Sequence, residues 1–514
     1  MQVIKNLAKD SKVIEFLLVM LIVFSFDFIF IFRYGFGLSF VHILIAFFNV
    51  ALVFSVIAFI KNNRFRYAAY VTYIVIMFIF FLTDSTLYFF KQDVTAIAML
   101  MESLQDTMEI GLKYSPLSPY GILIWILIVG FTVLALIALN KAVKYSNHYK
   151  KNHISKRLSF LLIAILGLFA SPFIINASDS LTFKTPADKS LFVQKFGLTT
   201  YHAKDIVSFV GNSVKPVFFS GDYESELNEN LDLTPADQST LFGDFAGQNV
   251  ILIQCETCEQ YAFSRAYTPN YYRLYDEGIY FDNFYSAAKS NYTYDAEMKA
   301  LSSMMYFQAD NFMYSFGENE FRNALPYILN QEGYTTNAFH NYHGVFFNRD
   351  VIYPNMGFEH FYAADSLQTN TNEYMPLDST MFDQMRDLMA PVQSDPFFTF
   401  VITVTPHGPH HRYREELKKH YDTLALDPLY ADESIEYLTL VAGHMDFDEG
   451  LGILLDDLEE KNLLDTTTIM LYSDHKNYSD YEMTVEYTPN SYIPFEIEKV
   501  PFIIYTQTLG SGTN

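Results

Sequence analysis

The sequence has almost no cysteine: Cys255 and Cys258 are the only two in 514 residues. Two cysteines three apart cannot staple distant parts of a chain, so a disulfide-built secreted domain is excluded. Positive charge is also scarce, with 34 Lys and Arg against 58 Asp and Glu and a net charge of −24. So acidic a chain repels phosphates, which argues against nucleic acid as a partner. No repeat and no low-complexity tract stands out, and the length exceeds that of one ordinary domain.

What the chain has in plenty is apolar sequence, and it is unevenly spread. Residues 1–176 hold 15 Lys/Arg and 8 Asp/Glu, a balance of +7, whereas the remainder holds 19 and 50, a balance of −31. Within the first part, five stretches approach the ~20 apolar residues needed to cross a bilayer: 14–33, 39–60, 67–90, 119–140 and 158–176. Lys5, Lys9 and Lys12 precede the first, Lys61, Arg64 and Arg66 follow the second, and Lys141, Lys144, Lys150, Lys151, Lys156 and Arg157 separate the fourth from the fifth. The opposite loops hold only Arg33, Lys91 and Lys113. By the positive-inside rule the N-terminus is cytoplasmic and everything after residue 176 lies outside. Five spans do not fit a cleaved signal peptide. Asp27 and Asp84 are either functional carboxylates within the membrane or residues of its outer interface. The loop 92–118 has the spacing of a helix lying on the membrane surface or packed on the outer domain.

Residues 177–245 read as a polar extracellular connector with short amphipathic pieces, such as 201–210, and a solvated acidic run at 222–232. From residue 246 to 514 strand-like and helical runs alternate. Strands are expected at 249–255, 278–284, 335–340, 397–405, 467–472 and 501–505, and helices at 293–306, 320–332, 379–389, 412–421 and 433–460. That alternation predicts an α/β domain with a mostly parallel central sheet.

The stretch NVILIQCE (249–256) suits a strand buried on both faces, ending on Glu256. Ligands of such sheets sit beyond the carboxyl ends of the strands. A second strand, 467–472, runs out into Ser473, Asp474 and His475. Thr293 opens a helical stretch, where it is an N-cap or a nucleophile placed at a prepared anion site. One Thr, two carboxylates and one His suit a four-coordinate Mn²⁺, Zn²⁺ or Mg²⁺ site, although Glu256 could equally pair with an Arg. Two further stretches set polar groups among aromatics. Residues 343–350 (HGVFFNRD) offer Arg349, able to hold a phosphate bidentately. In 405–411 (TPHGPHH), His407 is best placed for acid/base work, with His410 and His411 expected to be exposed. Asp446 and Asp448 fall on a long helix as surface charge.

These residues, in this order, resemble the lipoteichoic acid synthase family of polyglycerolphosphate transferases in the alkaline phosphatase/sulfatase superfamily. The resemblance spans the five N-terminal stretches, FGLTTYHAKDIV, VILIQCE, TPNYYRLYDEGIYFDNFY, TYDAEM, FFNRDVIYPNMGFEHFY, VTPHGPH and DEGLGILLDDLEEKNLLDTTTIMLYSDH. It implies a five-helix transmembrane domain followed by an extracellular sulfatase-like catalytic domain. It implies a metal, usually Mn²⁺ with Mg²⁺ as the other choice, held by Glu256, Thr293, Asp474 and His475, with Thr293 also the nucleophile. It implies phosphoglycerol contacts from His343, Phe347, Arg349 and His407; family members carry Trp where Phe347 stands. The implied partners are phosphatidylglycerol in the membrane and a glycerol-phosphate polymer on a glycolipid anchor. Members of the family continue past the segment matching 501–505, whereas this sequence stops at GSGTN, so either the sequence is truncated or part of the sheet is lost.

Two other functions compete. A phosphoethanolamine transferase shares the spans, the Thr and the fold, but usually carries several disulfides. A non-catalytic membrane sensor built on a degenerate transferase domain would be expected to have lost metal ligands. A true sulfatase is disfavoured, because no Cys-or-Ser-x-Pro-x-Arg stretch lies near Thr293.

Overall fold

The computed structural model describes residues 11–91, 94–97, 119–145, 154–175, 177–184, 189–218, 242–286, 293–304, 312–367, 376–408, 410–411, 413–477, 481–493 and 495–507. Most of the loop 92–118 and all of the acidic run 222–232 lie outside the described residues. The chain divides into two compact units, the main break falling between Tyr223 and Glu224.

The first unit is a helical bundle: α1 (Ser11–Arg33), α2 (Phe40–Ala58), α3 (Asn63–Lys91), α4 (Pro119–Tyr145) and α5 (Ile154–Ile174). Each is long and apolar enough to cross a membrane. Three shorter helices follow: α6 (Ala177–Lys184), α7 (Lys189–Phe196) and α8 (Leu198–Phe218). Phe192, Val193, Phe196, Leu198 and Tyr201 of α7 and α8 share one apolar cluster with Phe26, Phe30 and Val50 of the long helices. Buried polar groups sit at the two ends of this bundle. At one end, Glu15 accepts from Lys12 Nζ at 2.9 Å and lies 3.3 Å from Arg66 Nε and from the Tyr70 hydroxyl. At the other, Asp27 accepts from Thr199 N at 3.0 Å, and Asp84 accepts from Thr95 N at 2.8 Å and meets His202 Nε2 at 2.6 Å. Asp27 and Asp84 therefore tie the start of α8 to the long helices, a use that keeps a buried carboxylate hydrogen-bonded.

The second unit is α/β. Its sheet has seven strands in the order β2-β7-β6-β1-β5-β3-β4: β1 (Asn249–Cys255), β2 (Ile279–Tyr280), β3 (Thr335–His340), β4 (His360–Tyr362), β5 (Phe397–Ile402), β6 (Thr467–Ser473) and β7 (Phe502–Tyr505). Strands β6, β1, β5, β3 and β4 run parallel, and β7 joins β6 antiparallel, with β2 antiparallel to β7. All six residues of β5 are buried, as a strand covered on both faces requires. Ile251 and Ile253 of β1 are fully buried, each contributing about 1.5–3 kcal/mol of transfer free energy.

The helices of this unit are α9 (Pro269–Glu277), α10 (Thr293–Ser302), α11 (Leu325–Gln331), α12 (Arg349–Asn355), α13 (Asp378–Met389), α14 (Lys418–Leu424) and α15 (Ile435–Glu460). Five strands follow the apolar pattern closely. The expected strand at 278–284 shrinks to the two residues of β2, because after Tyr280 the pairing thins to single contacts such as Phe281 N to Phe502 O at 3.0 Å and an isolated bridge from Tyr285 to Lys499. Strand β4 and helices α9 and α12 had no clear periodic signal. Of these, β4 is a three-residue edge, α9 starts at Pro269, a residue suited to a first helical turn, and α12 contains Pro354.

Candidate active site and metal centre

The carboxyl ends of β1, β6, β5 and β3 carry Glu256, Asp474 with His475, His407 and His343 respectively. This is the edge of a parallel sheet at which ligands are expected. Extended pairing continues one residue past β6, with Asp474 N donating to Cys255 O at 3.2 Å, so Asp474 and Glu256 arrive side by side. Glu256, Asp474 and His475 each offer a ligand atom within 4.8 Å of the others, and all three are buried.

The local backbone is bent to make this possible. Thr257 has φ of 51°, left-handed for a β-branched residue, and strain of this kind costs of order 1–3 kcal/mol unless the surroundings hold it. They do: Thr257 N donates to Asp474 Oδ1 at 2.9 Å and its hydroxyl donates to Glu256 Oε1 at 2.8 Å. Glu256 N donates to Thr403 Oγ at 2.9 Å. Cys255 and Cys258 are joined as a disulfide, a bond local to this turn.

Thr293 opens α10, and its hydroxyl donates to Glu256 Oε2 at 2.9 Å. Gln254, the one polar residue inside β1, donates to Thr293 O at 3.1 Å and fixes where the helix starts. His475 Nδ1 lies 3.0 Å from Lys476 O; a carbonyl only accepts, so Nδ1 carries a proton, and Nε2 faces Asp474 Oδ2 at 3.2 Å and Glu256 Oε1 at 3.5 Å. His407 is arranged the same way, with Nδ1 on Gly408 O and Nε2 3.8 Å from Glu256 Oε1.

The electrostatics suit a cation. Burial pushes Glu256 up, but the adjacent imidazoles of His407 and His475 and the hydrogen bond from the Thr257 hydroxyl outweigh it and bring its carboxyl down to about 2. Burial and the neighbouring Glu256 charge push Asp474 well above the usual carboxylate range. Asp474 Oδ1 is satisfied by the backbone N–H groups of Thr257 and His475, whereas Oδ2 is buried without a hydrogen bond. Two adjacent buried carboxylates, one with an unsatisfied oxygen, beside an imidazole nitrogen, form a donor set that fits a divalent cation.

Two of the remaining predicted residues, Phe347 and Arg349, pack against α10. Phe347 is buried, with its ring edge-on to Tyr294 at 5.0 Å, next in sequence to Thr293. Phe347 and Asn348 both have φ of 59°, so two successive left-handed residues aim this turn. The Arg349 guanidinium lies 5.1 Å from the Phe347 ring centre, within cation–π range. Its bidentate edge is taken by Glu297, Nε at 3.0 Å from Oε2 with Nη2 on Oε1, and Nη1 makes a long 3.4 Å bond to Phe346 O. The Tyr353 hydroxyl also donates to Glu297 Oε2 at 2.6 Å. The edge available to a phosphate in the sequence is thus already clasped by a carboxylate. His343 is half-buried beside Tyr342 and is not in the carboxylate cluster.

Three expectations are corrected. His410 is buried, with Nε2 at 2.8 Å from Pro406 O, because the loop after β5 folds back on itself. Asp446 and Asp448 are buried rather than surface charge. Asp448 accepts from the N–H groups of Asn270 and Tyr271 at the start of α9. Asp446 Oδ2 accepts from Asp378 N at 2.9 Å and from the Thr405 hydroxyl at 2.8 Å, bracing the loop that carries His407. Helix α15 reaches this loop closely because of Gly443: a Cβ there would stand 2.9 Å from Pro406 Cα.

Buried groups near the site, Glu259 and His410 among them, set a pH dependence. Burial raises Glu259 from 4.5 to about 8, and burial lowers His410 from 6.5 to about 3. A raised carboxyl favours the folded state at low pH, and that contribution is lost as pH rises from 4.5 to 8. A lowered imidazole favours the folded state above 6.5, and that contribution is lost as pH falls from 6.5 to 3. Above 6.5 the imidazole no longer contributes, whereas Glu259 and the likewise raised buried carboxyls of Asp378 and Asp474 do, so melting temperature should decline between there and pH 8, and Glu259→Gln should remove part of that decline. An unchanged slope in Glu259→Gln would remove Glu259 as its cause.

Comparison with known proteins places this geometry. A family model described as the lipoteichoic acid synthase N-terminal domain matches residues 1–218, and one described as sulfatase matches residues 248–511. Lipoteichoic acid synthase 1 of Bacillus subtilis is 26% identical over 306 residues, covering 57% of this chain and 46% of its own length. The lipoteichoic acid synthase-like protein YvgJ of the same organism is 23% identical over 472 residues, covering 88% and 73%. The chain thus spans about half the length of the first of these relatives. Among solved structures, the lipoteichoic acid synthase LtaP from Listeria monocytogenes matches with a TM-score of 0.42 and 19% identity, covering 55% of this chain and 71% of that one. With the sulfatase model matching just over half of the sequence, the chain belongs to the sulfatase family, and its N-terminal part is similar to the lipoteichoic acid synthase N-terminal domain.

Proposed function

We propose that the chain is a membrane-bound glycerophosphotransferase that moves phosphoglycerol from phosphatidylglycerol to the terminal hydroxyl of a glycerol-phosphate chain on a glycolipid anchor. The observation that carries this is the Thr293 hydroxyl, at a helix N-terminus and hydrogen-bonded to a carboxylate of a buried two-acid, one-imidazole cluster. The relatives named lipoteichoic acid synthases support it.

In this reading Glu256, Thr293, Asp474 and His475 hold one divalent metal, Mn²⁺ first and Mg²⁺ second. Such an ion supplies a lowered hydroxyl pKa and charge neutralisation at phosphorus. The chain's own groups do the rest. Glu256 Oε2 orients the Thr293 hydroxyl and takes its proton as the oxygen attacks phosphorus. The bond from phosphorus to the diacylglycerol oxygen breaks, and His407, entering as the imidazolium, gives that oxygen its Nε2 proton. A glycerophosphoryl ester on Thr293 remains. The acceptor hydroxyl then attacks the same phosphorus and passes its proton to His407 Nε2, while the Thr293 oxygen leaves and takes its proton back from Glu256. The N–H groups and dipole at the start of α10 favour the phosphoryl charge. Arg349 and Phe347, packed on α10, hold that helix start, with His343 and Phe347 toward the glycerol. Domain limits of 1–176 for the membrane part, 177–245 for the connector and 246–514 for the catalytic part follow, with the N-terminus cytoplasmic and the catalytic part extracellular by the Lys/Arg bias of the loops.

Stripping the purified full-length protein with a chelator should abolish diacylglycerol release from phosphatidylglycerol liposomes, and Mn²⁺ should restore it. Release that survives complete metal removal would contradict the reading. Release from phosphatidylethanolamine but not phosphatidylglycerol would assign the other head group.

A further inference from the structure

A second cluster lies away from the catalytic edge, between α14 and α15. His420 Nε2 is 4.0 Å from Asp446 Oδ1 and 3.8 Å from Glu449 Oε2, and the three ligand atoms lie within 4.8 Å of one another. Asp446 and Glu449 stand three apart on α15, so both carboxylates leave the same face of that helix. From this arrangement we infer a second divalent-cation site, ligated by His420, Asp446 and Glu449 and suited to Zn²⁺ or Mn²⁺.

Two independent observations point to a ligand here. First, the His420 side chain is 9% exposed, and its Nε2 has no hydrogen-bond partner. A buried ring nitrogen left unsatisfied costs about 1–3 kcal/mol, and 3.8–4.0 Å is too long for a hydrogen bond to either acid. Second, the gaps suit an ion between the atoms. Ligands about 2.0–2.2 Å from one tetrahedral cation stand roughly 3.4 Å apart, so the two gaps from His420 Nε2 need close by about 0.4–0.6 Å. The donor set of one imidazole and two carboxylates favours Zn²⁺ or Mn²⁺ over Ca²⁺. Burial lowers the His420 imidazole from its ordinary value, which keeps its lone pair available near neutral pH.

The surroundings define the role. Asp446 Oδ1 takes one hydrogen bond, from the Ser379 hydroxyl, and Oδ2 binds the Thr405 hydroxyl and Asp378 N. Glu449 is about half exposed and is paired with Lys419 Nζ at 2.5 Å, also exposed. Exposed pairs of this kind are worth little, so Lys419 yields readily to a cation, and water completes the coordination from the open side. The site is a structural brace. It clamps α14 to α15 through Asp446, the residue that already anchors the loop bearing His407.

The test counts metal. Purified full-length protein in detergent is stripped, dialysed against ZnCl₂ and in parallel against MnCl₂, and its metal per chain is measured by plasma mass spectrometry. His420→Ala and Glu449→Gln should each hold one equivalent fewer than the parent protein, with His475→Ala losing a different equivalent. Glu449→Gln alters an exposed side chain, so it stays informative if His420→Ala does not fold. Equal metal content in the parent and in Glu449→Gln, with either salt, would overturn the proposal whether or not the catalytic cluster binds its own ion.

Discussion

Thr293→Ala is expected to lose diacylglycerol release from phosphatidylglycerol liposomes by at least about 10³-fold, the scale on which removing a covalent nucleophile acts in other enzymes. The side chain is small and its hydroxyl donates to Glu256 Oε2, so the folded state should lose only about 1 kcal/mol. The domain should keep its metal, since Glu256, Asp474 and His475 remain together. Thr293→Ser keeps a hydroxyl at the same helix start and should retain measurable release. This pair separates a nucleophile from a simple helix cap: a cap lost to Ala would lower melting temperature without a selective loss of turnover. Release in Thr293→Ala above a tenth of the parent rate, at equal metal content, would show that another group attacks.

Glu297→Ala is expected to produce the largest loss of stability. Glu297 is fully buried and receives Arg349 through two nitrogens and the Tyr353 hydroxyl. Removing it leaves the Arg349 guanidinium, itself 1% exposed, without its counter-charge. Breaking one side of a buried pair costs about 3–5 kcal/mol, which in a domain of this size lowers melting temperature by roughly 10 °C. Activity should fall with it, because Glu297 is one turn along α10 from Thr293 and ties that helix to the turn of Phe347 and Arg349. A melting temperature within a degree or two of the parent would mean that water or another acid replaces Glu297, and that the Arg349 edge is free for a phosphate after all.

The two strand ends that build the candidate metal site were legible because their signals are local. The run from Asn249 to Gln254 is apolar apart from its ends and stops at a carboxylate, and 467–473 does the same before Asp474 and His475. Parallel pairing of β1 with β6 then brings those ends together with no further information. Thr293 was legible as a helix start. Arg349 was legible as a cation among aromatics, but its partner was not. Glu297 lies 52 residues away, on a helix whose burial depends on what packs against it. The same distance effect hid Asp446 and His410. Both are polar residues on elements with a solvated look, and their burial follows from how closely α15 approaches the loop after β5 at Gly443. The short edge strand β4 and the Pro-containing helix α12 were missed for the opposite reason, being too brief for any periodicity to accumulate.

The central claim is covalent: phosphorus passes through Thr293. The direct measurement is mass spectrometry of the peptide containing Thr293, after brief incubation of the Mn²⁺-loaded full-length protein with phosphatidylglycerol liposomes and no acceptor, followed by acid quench. A glycerophosphoryl group on Thr293, absent without lipid and absent in Thr293→Ala, is the predicted result. Diacylglycerol release at full rate with Thr293 unmodified throughout would contradict it and point to direct attack by the acceptor or by water.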